Sequence, residues 1–163
     1  MKHVILMRHA EAQPEQLSRS DRDRFLTQSG MQELENIRKK LQGRVEGLQL
    51  LLCSNVKRTR QTLDGIKPVL PSVTQVTFED KLYNASCQTL MERLRSIPND
   101  VDFVMIIAHN PGIGELASLA QPGVEKSLPR GFPTSGVALL DGDFASWAEA
   151  SPTRFKLQSF LVP

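Results

Sequence analysis

Val101-Asp-Phe-Val-Met-Ile-Ile-Ala108 runs directly into His109-Asn110-Pro111-Gly112, and that into Ile113-Gly-Glu-Leu-Ala-Ser-Leu-Ala120. An apolar run of this kind predicts a strand buried on both faces, as in parallel sheets covered by helices. The residues from about Ile113 to Ala120 predict a helix. The polar turn between the two therefore stands at the carboxyl end of a buried strand.

The same succession recurs on the amino-terminal side. Residues 2–8 carry Val4-Ile5-Leu6-Met7 and predict a strand, followed by Arg8-His9-Ala10 and a polar stretch from Glu11 to Gln28 that reads as loop. Met31, Leu34, Ile37, Leu41 and Val45 recur at helical spacing, with Ser29 and Gln32 as an expected capping box. Residues 48–53 predict a second buried strand, followed by Ser54-Asn55-Val56-Lys57-Arg58 and a helix from Val56 to Ile66 that stops before Pro68. Val73, Val76 and Phe78 mark a weaker third strand. Ser86 is expected to cap a helix carrying Leu90, Met91, Leu94 and Ile97 and ending at Pro98.

Beyond Ala120 the stretch 121–136 is rich in Pro and Gly and reads as a long irregular loop, and further strands are expected near 136–141 and 154–162. Strand–helix alternation on this scale predicts an α/β domain, a three-layer α/β/α sandwich with a mostly parallel central sheet.

The composition agrees with one ordinary domain spanning 1–163. The chain has 163 residues, 40% hydrophobic and 23% charged, which argues against disorder. A net charge of +2 gives no basis for a nucleic-acid or membrane partner. No apolar run approaches the roughly 20 residues of a spanning helix, and the amino terminus lacks the apolar core of a signal peptide. Cys53 and Cys87 have no Cys-x-x-Cys spacing and read as buried thiols in a reducing, cytoplasmic compartment. Oligomeric state is not indicated.

In open α/β sheets, ligands bind outside the carboxyl ends of the strands. Three polar clusters stand there: Arg8-His9, Ser54 to Arg58, and His109-Asn110. If their strands are parallel neighbours, His9, His109, Arg8 and Arg58 converge on one crevice. The arginine fork matches phosphate oxygens bidentately, so two arginines with two histidines point to phosphoryl chemistry.

Competing motifs fail on register. A cysteine-dependent phosphatase needs Cys-x5-Arg, yet six positions after Cys53 stands Thr59. There is no Gly-x4-Gly-Lys-Ser/Thr loop. Gly112-x-Gly114-x-x-Ala117 lacks the following strand with the acidic residue that a dinucleotide ribose requires. His3, His9 and His109 have no compact ligand spacing for zinc, and no metal is expected.

Leu6-Met7-Arg8-His9-Ala10 resembles the Arg-His-Gly/Ala signature of the histidine phosphatase superfamily, whose fold is phosphoglycerate-mutase-like. Ser54-Asn55-Val56-Lys57-Arg58-Thr59-Arg60-Gln61-Thr62 is similar to its second motif, with Asn55 replacing the usual Pro and Thr59 the usual Ala. Ala108-His109-Asn110-Pro111-Gly112 is similar to the third. Asp21-x-x-Arg24-x-Leu26-Thr27-x-x-Gly30 and Leu82-Tyr83-x-Ala85-Ser86 further resemble the short SixA-type phosphohistidine phosphatases. The likeness runs in order from the first residues to about Leu140.

The resemblance implies that His9 attacks phosphorus and forms a phosphohistidine intermediate, with Arg8 and Arg58 holding the phosphoryl oxygens. His109 is implied as a further donor, with no metal or other cofactor. Larger relatives protonate the leaving oxygen with a Glu after the third strand. Asp80 is the candidate general acid at that place, and Glu79 the alternative. An alkoxide leaving group needs that proton far more than an imidazole does, so a missing strong acid favours phosphohistidine. The chain also has no room for a cap insertion between Ser54 and the third motif.

An open cleft admits a phosphorylated protein, framed by the loops at 11–27 and 121–135. The expected function is a metal-independent phosphatase acting on protein phosphohistidine. The alternatives are a phosphatase of small phosphate esters using Asp80 or Glu79, and a non-catalytic phosphate-binding module.

Overall fold

The structure, a computed structural model, describes residues 1–120, 128 and 131–163. Its elements are β1 (Lys2–Arg8), α1 (Gln28–Leu41), β2 (Leu50–Ser54), α2 (Lys57–Ile66), β3 (Gln75–Glu79), α3 (Cys87–Arg95), β4 (Phe103–Ala108), α4 (Gly112–Leu119), β5 (Val137–Gly142) and β6 (Phe155–Leu161). The strands form one sheet in the order β3-β2-β4-β1-β5-β6. The pairings from β3 through β1 are parallel, and β5 and β6 join antiparallel. The sheet is mostly parallel as expected, in three of its five pairings, and it is parallel where the polar clusters sit.

The apolar runs of β1, β2 and β4 exist because both sheet faces are covered. On one face Ile5, Met7, Leu51, Met105 and Ile107 pack with Leu34, Ile37 and Leu41 of α1 and Leu63 and Ile66 of α2. On the other, Val4, Leu6, Leu52, Val104 and Ile106 pack with Leu90, Met91 and Leu94 of α3 and Ile113, Leu116 and Ala117 of α4. Alternate residues of each strand point to opposite faces, which makes the three layers. β3 lies at the sheet edge, and Val76 and Phe78 remain exposed.

Several local expectations shift. The cap of α1 is Thr27, whose Oγ1 accepts from Gly30 N at 3.0 Å, rather than Ser29. Its buried stripe is Gly30, Leu34, Ile37 and Leu41; Met31 faces solvent, and Val45 is buried but lies past the helix end. The 11–27 loop contains two 3-10 turns, Glu15–Leu17 and Asp21–Asp23, and an isolated bridge between Ala12 and Leu26. Ser86 caps α3 as expected, accepting from Thr89 N at 3.1 Å, but that helix ends before Ile97. Of the 121–136 loop, residues 121–127, 129 and 130 lie outside the described residues, and 131–136 hold no helix or strand.

Strand register places the site. Arg8 pairs with Ala108 across β1 and β4, and Cys53 with Ile107 across β2 and β4. The three strands thus end level, so the residues that follow them leave the sheet side by side. Gly112 opens α4 where an added Cβ would stand 2.0 Å from the Ala85 carbonyl oxygen. Only glycine lets the α4 entry close onto the turn that carries Tyr83 and Asn84.

Candidate active site

A pocket of about 450 Å³ at these strand ends is lined by Arg8, His9, Glu15, Asp21, Arg24, Arg58, Tyr83, Asn84, His109 and Asn110. The four residues expected to converge, His9, His109, Arg8 and Arg58, are brought together, with the two imidazole rings 5.3 Å apart.

His9 is held from behind. Its Nδ1 lies 2.7 Å from the Ala10 carbonyl oxygen, an acceptor only, so Nδ1 carries the proton and Nε2 keeps its lone pair. Ala10 N donates to Thr62 Oγ1 at 3.0 Å, and Thr62 Oγ1 donates to the Arg58 carbonyl at 2.7 Å, tying the His9 turn to α2. Ser135, buried and left-handed at φ 55°, donates its amide to the His9 carbonyl at 3.1 Å. Its hydroxyl and that of Thr134 both donate to Glu33, at 2.9 and 2.8 Å.

Burial, followed by the charges of Arg58, Arg8 and Arg24, pulls His9 down to about 4, against the Ala10 hydrogen bond that favours the protonated ring. Burial likewise leads in His109, joined by His9 and Arg58, and brings it to about 3. Both rings are neutral at physiological pH. Their ring NMR signals are expected to stay at neutral-imidazole positions down to about pH 5. Movement through a midpoint near 6.5 would contradict this. Because the ordinary histidine value is 6.5, the unfolded chain binds more protons between about pH 4 and 6.5. Stability contributed by these rings therefore falls as pH drops through that window.

Arg58, the second residue of α2, is 3% exposed. Its Nη1 donates to the Asp21 carbonyl at 2.7 Å and its Nη2 to Asp21 Oδ2 at 3.1 Å. Arg8 Nη1 and Asn110 Nδ2 share the Phe132 carbonyl as acceptor, at 2.9 and 2.8 Å. The Nε atoms of Arg8 and Arg58 are both buried without a partner among the described residues. Orphaned cationic donors are costly, and a bound oxyanion is the group that repairs the cost.

His109 differs from the expected donor. Its Nδ1 stands 3.4 Å from Arg58 Nη2, which can only donate, so the ring proton lies on Nε2, 2.7 Å from Ser54 Oγ.

Neither carboxyl proposed as acid lines the pocket. Glu79 is clamped by Arg93, Nε to Oε2 at 2.9 Å and Nη2 to Oε1 at 2.8 Å. Asp80 has a side chain 72% exposed and accepts from Asn55 Nδ2 at 3.1 Å. The 3-10 turn Asp80–Leu82 carries the chain away at this point and presents Tyr83 instead.

The carboxylate that enters is Asp21, together with Glu15. Asp21 accepts from Arg24 Nη1 at 3.0 Å, from Arg58, and from the Tyr83 hydroxyl. Burial opposes its ionisation, but the Tyr83 and Arg24 hydrogen bonds and the Arg58 charge outweigh that and hold its carboxyl well below the usual range. Spacing from the strands does not single out Asp21, Arg24 and Tyr83 as site residues. The Asp21-to-Gly30 and Leu82-to-Ser86 patterns were the signal that could have found them.

A pocket of neutral histidine and fixed guanidinium, at the carboxyl end of a parallel sheet, is a phosphoryl-transfer site in construction. The histidine phosphatase superfamily (branch 1) model matches residues 4–110, more than half of the chain. The chain belongs to that superfamily, and it is a phosphatase. The SixA of Agrobacterium tumefaciens is 31% identical, with a TM-score of 0.83 over 99% of this chain and 98% of that one. The protein histidine phosphatase SixA in complex with tungstate gives 26% identity and a TM-score of 0.76, covering 98% and 96%. An uncharacterized protein of Mycobacterium tuberculosis is 29% identical across 96% of this chain and 99% of its own. The fold is the phosphoglycerate-mutase-like one. Among the described residues, no helix is long and apolar enough to cross a membrane, and no group of three or more His, Cys, Asp or Glu side chains is placed to hold a metal.

Proposed function

We propose that this phosphatase hydrolyses phosphohistidine on a protein, through a phosphohistidine intermediate on His9 and without a metal. Arg8 and Arg58 hold the phosphoryl oxygens while the His9 Nε2 lone pair attacks phosphorus. The bond from phosphorus to the leaving group breaks as the new P–Nε2 bond forms. His9 then carries phosphate on Nε2 and a proton on Nδ1, the latter held by the Ala10 carbonyl. Water attacks that phosphorus next, and His9 leaves as a neutral ring that already has its proton. The proton of the attacking water goes to product phosphate. Neither half-reaction needs a proton from a carboxylic acid if the substrate is itself a phosphorylated imidazole.

The observation carrying this reading is that, among the described residues, neither Glu79 nor Asp80 lines the pocket, while Asp21, which does, is held ionised by its hydrogen bonds and the Arg58 charge. An ester phosphatase using Asp80 or Glu79 has no such support. A non-catalytic binding module has no use for a neutral histidine with a free Nε2. The protein partner is supported by the likeness to SixA. It is also supported by an interval between Ser54 and His109 filled by α2, β3, α3, β4 and short turns, consistent with one domain, 1–163, lacking a cap. Unlinked, buried Cys53 and Cys87 support a cytoplasmic setting.

A phosphohistidine-bearing protein compared side by side with a panel of phosphate esters tests the substrate. The expected kcat/KM favours phosphohistidine by about 100-fold or more, the scale of one general acid–base contribution. EDTA is expected to leave both rates unchanged. Rates favouring a small ester, or loss of activity in EDTA restored by a divalent cation, would overturn the proposal.

A further inference from the structure

An anion inside a phosphate pocket needs a reason. Asp21 repels the phosphoryl oxygens that Arg8, Arg24 and Arg58 attract, and it engages Arg24 and Arg58 itself. A site built only to grip phosphate is weakened by it.

We propose that Asp21 is a specificity-determining residue that selects substrates whose leaving group is positively charged. Resting on the phosphatase reading above, that leaving group is the ring of a phosphohistidine protonated on the nitrogen remote from phosphorus. A carboxylate offers about four acceptor positions. Among the described residues, Oδ2 is filled by Arg58 Nη2 and the Tyr83 hydroxyl, and Oδ1 takes Arg24 Nη1 alone. One acceptor position on Oδ1 remains. The side chain is 26% exposed and lines the pocket, so that position is open to a ligand. Arg58 Nη2 touches Asp21 on one side and His109 on the other, and the His109 ring is 5.3 Å from that of His9. The carboxylate therefore stands one guanidinium away from the histidine pair.

The remote ring N–H of the substrate donates to Oδ1, and the negative charge keeps that ring protonated. When P–N cleavage returns the electron pair to the ring nitrogen that held phosphorus, a neutral imidazole departs with its proton. Asp21 takes up no proton, in keeping with a carboxyl held ionised by three donors. The Ala10 carbonyl serves His9 in the same way on the other half of the reaction.

The test is Asp21→Asn. The ratio of kcat/KM for a phosphohistidine peptide to that for p-nitrophenyl phosphate is expected to fall about tenfold or more, the scale of one lost charge-assisted hydrogen bond. An unchanged ratio, with both rates moving together, makes Asp21 a mere holder of arginines and overturns the proposal. A second measurement needs no substrate turnover. Wild type is expected to bind 2-aminoethylphosphonate about tenfold more tightly than phosphonoacetate, by competitive inhibition, and Asp21→Asn to lose that preference. Equal inhibition of wild type by both overturns the proposal. If wild type spares phosphohistidine yet keeps the preference for the cationic tail, the substrate reading fails and the Asp21 assignment stands.

Discussion

His9→Ala is expected to lower kcat by about 10⁴-fold or more toward any phosphate substrate, the scale seen when a nucleophile is removed. The prediction is large because nothing among the described residues of the pocket replaces Nε2. The Nε2 of His109 is committed to Ser54 Oγ at 2.7 Å. Cys53 is buried, and burial pushes its thiol up to about 12, so it offers no thiolate. Asp21 is bound by two arginines and Tyr83. The variant should stay folded, since deleting a buried neutral ring strands no charge. A thermal melt alongside a turnover assay separates the two effects. Residual activity above a few per cent, in protein shown to be folded, would remove His9 from the centre of the mechanism.

Arg58→Ala is expected to cost about 10³-fold in kcat/KM, the range for a guanidinium that stabilises a transferring phosphoryl group. Arg58→Lys should recover little of it, because a single ammonium cannot span the positions of Nη1, Nη2 and Nε. A second readout distinguishes lost chemistry from lost structure. The Arg58 charge depresses both His9 and His109, so its removal raises the two histidines toward 6.5 from about 4 and about 3. The Asp21 carboxyl, which loses a charge and a hydrogen bond, also rises toward the usual range. Histidine titrations that do not move would show that Arg58 does not face the pair.

Much of this site was legible because buried parallel strands announce themselves as unbroken apolar runs. Once β1, β2 and β4 are adjacent, Arg8-His9, Ser54 to Arg58 and His109 must emerge together. Chain distance misled at the acid. Glu79 ends β3, but on an edge strand its partner is Arg93 of α3, and the Asp80–Leu82 turn directs Asp80 outward. Asp21 and Arg24 were hidden for the opposite reason. They sit in irregular backbone, where no periodicity reports which side chain folds back, and only in the completed pocket does the Asp21 carboxylate gather Arg24, Arg58 and the Tyr83 hydroxyl. The cap of α1 slipped from Ser29 to Thr27 because Thr27 also donates to Glu11 Oε1 at 2.6 Å, a tertiary contact that spacing cannot reveal.

The central claim is that phosphate passes through Nε2 of His9. Rapid quenching of the wild-type enzyme during turnover of a labelled phosphoramidate, followed by peptide mapping under alkaline conditions, tests it most directly. The expected result is one acid-labile phosphate on His9, absent in His9→Ala. Turnover with no phosphoenzyme at any quench time, or label on His109 in its place, would contradict the account.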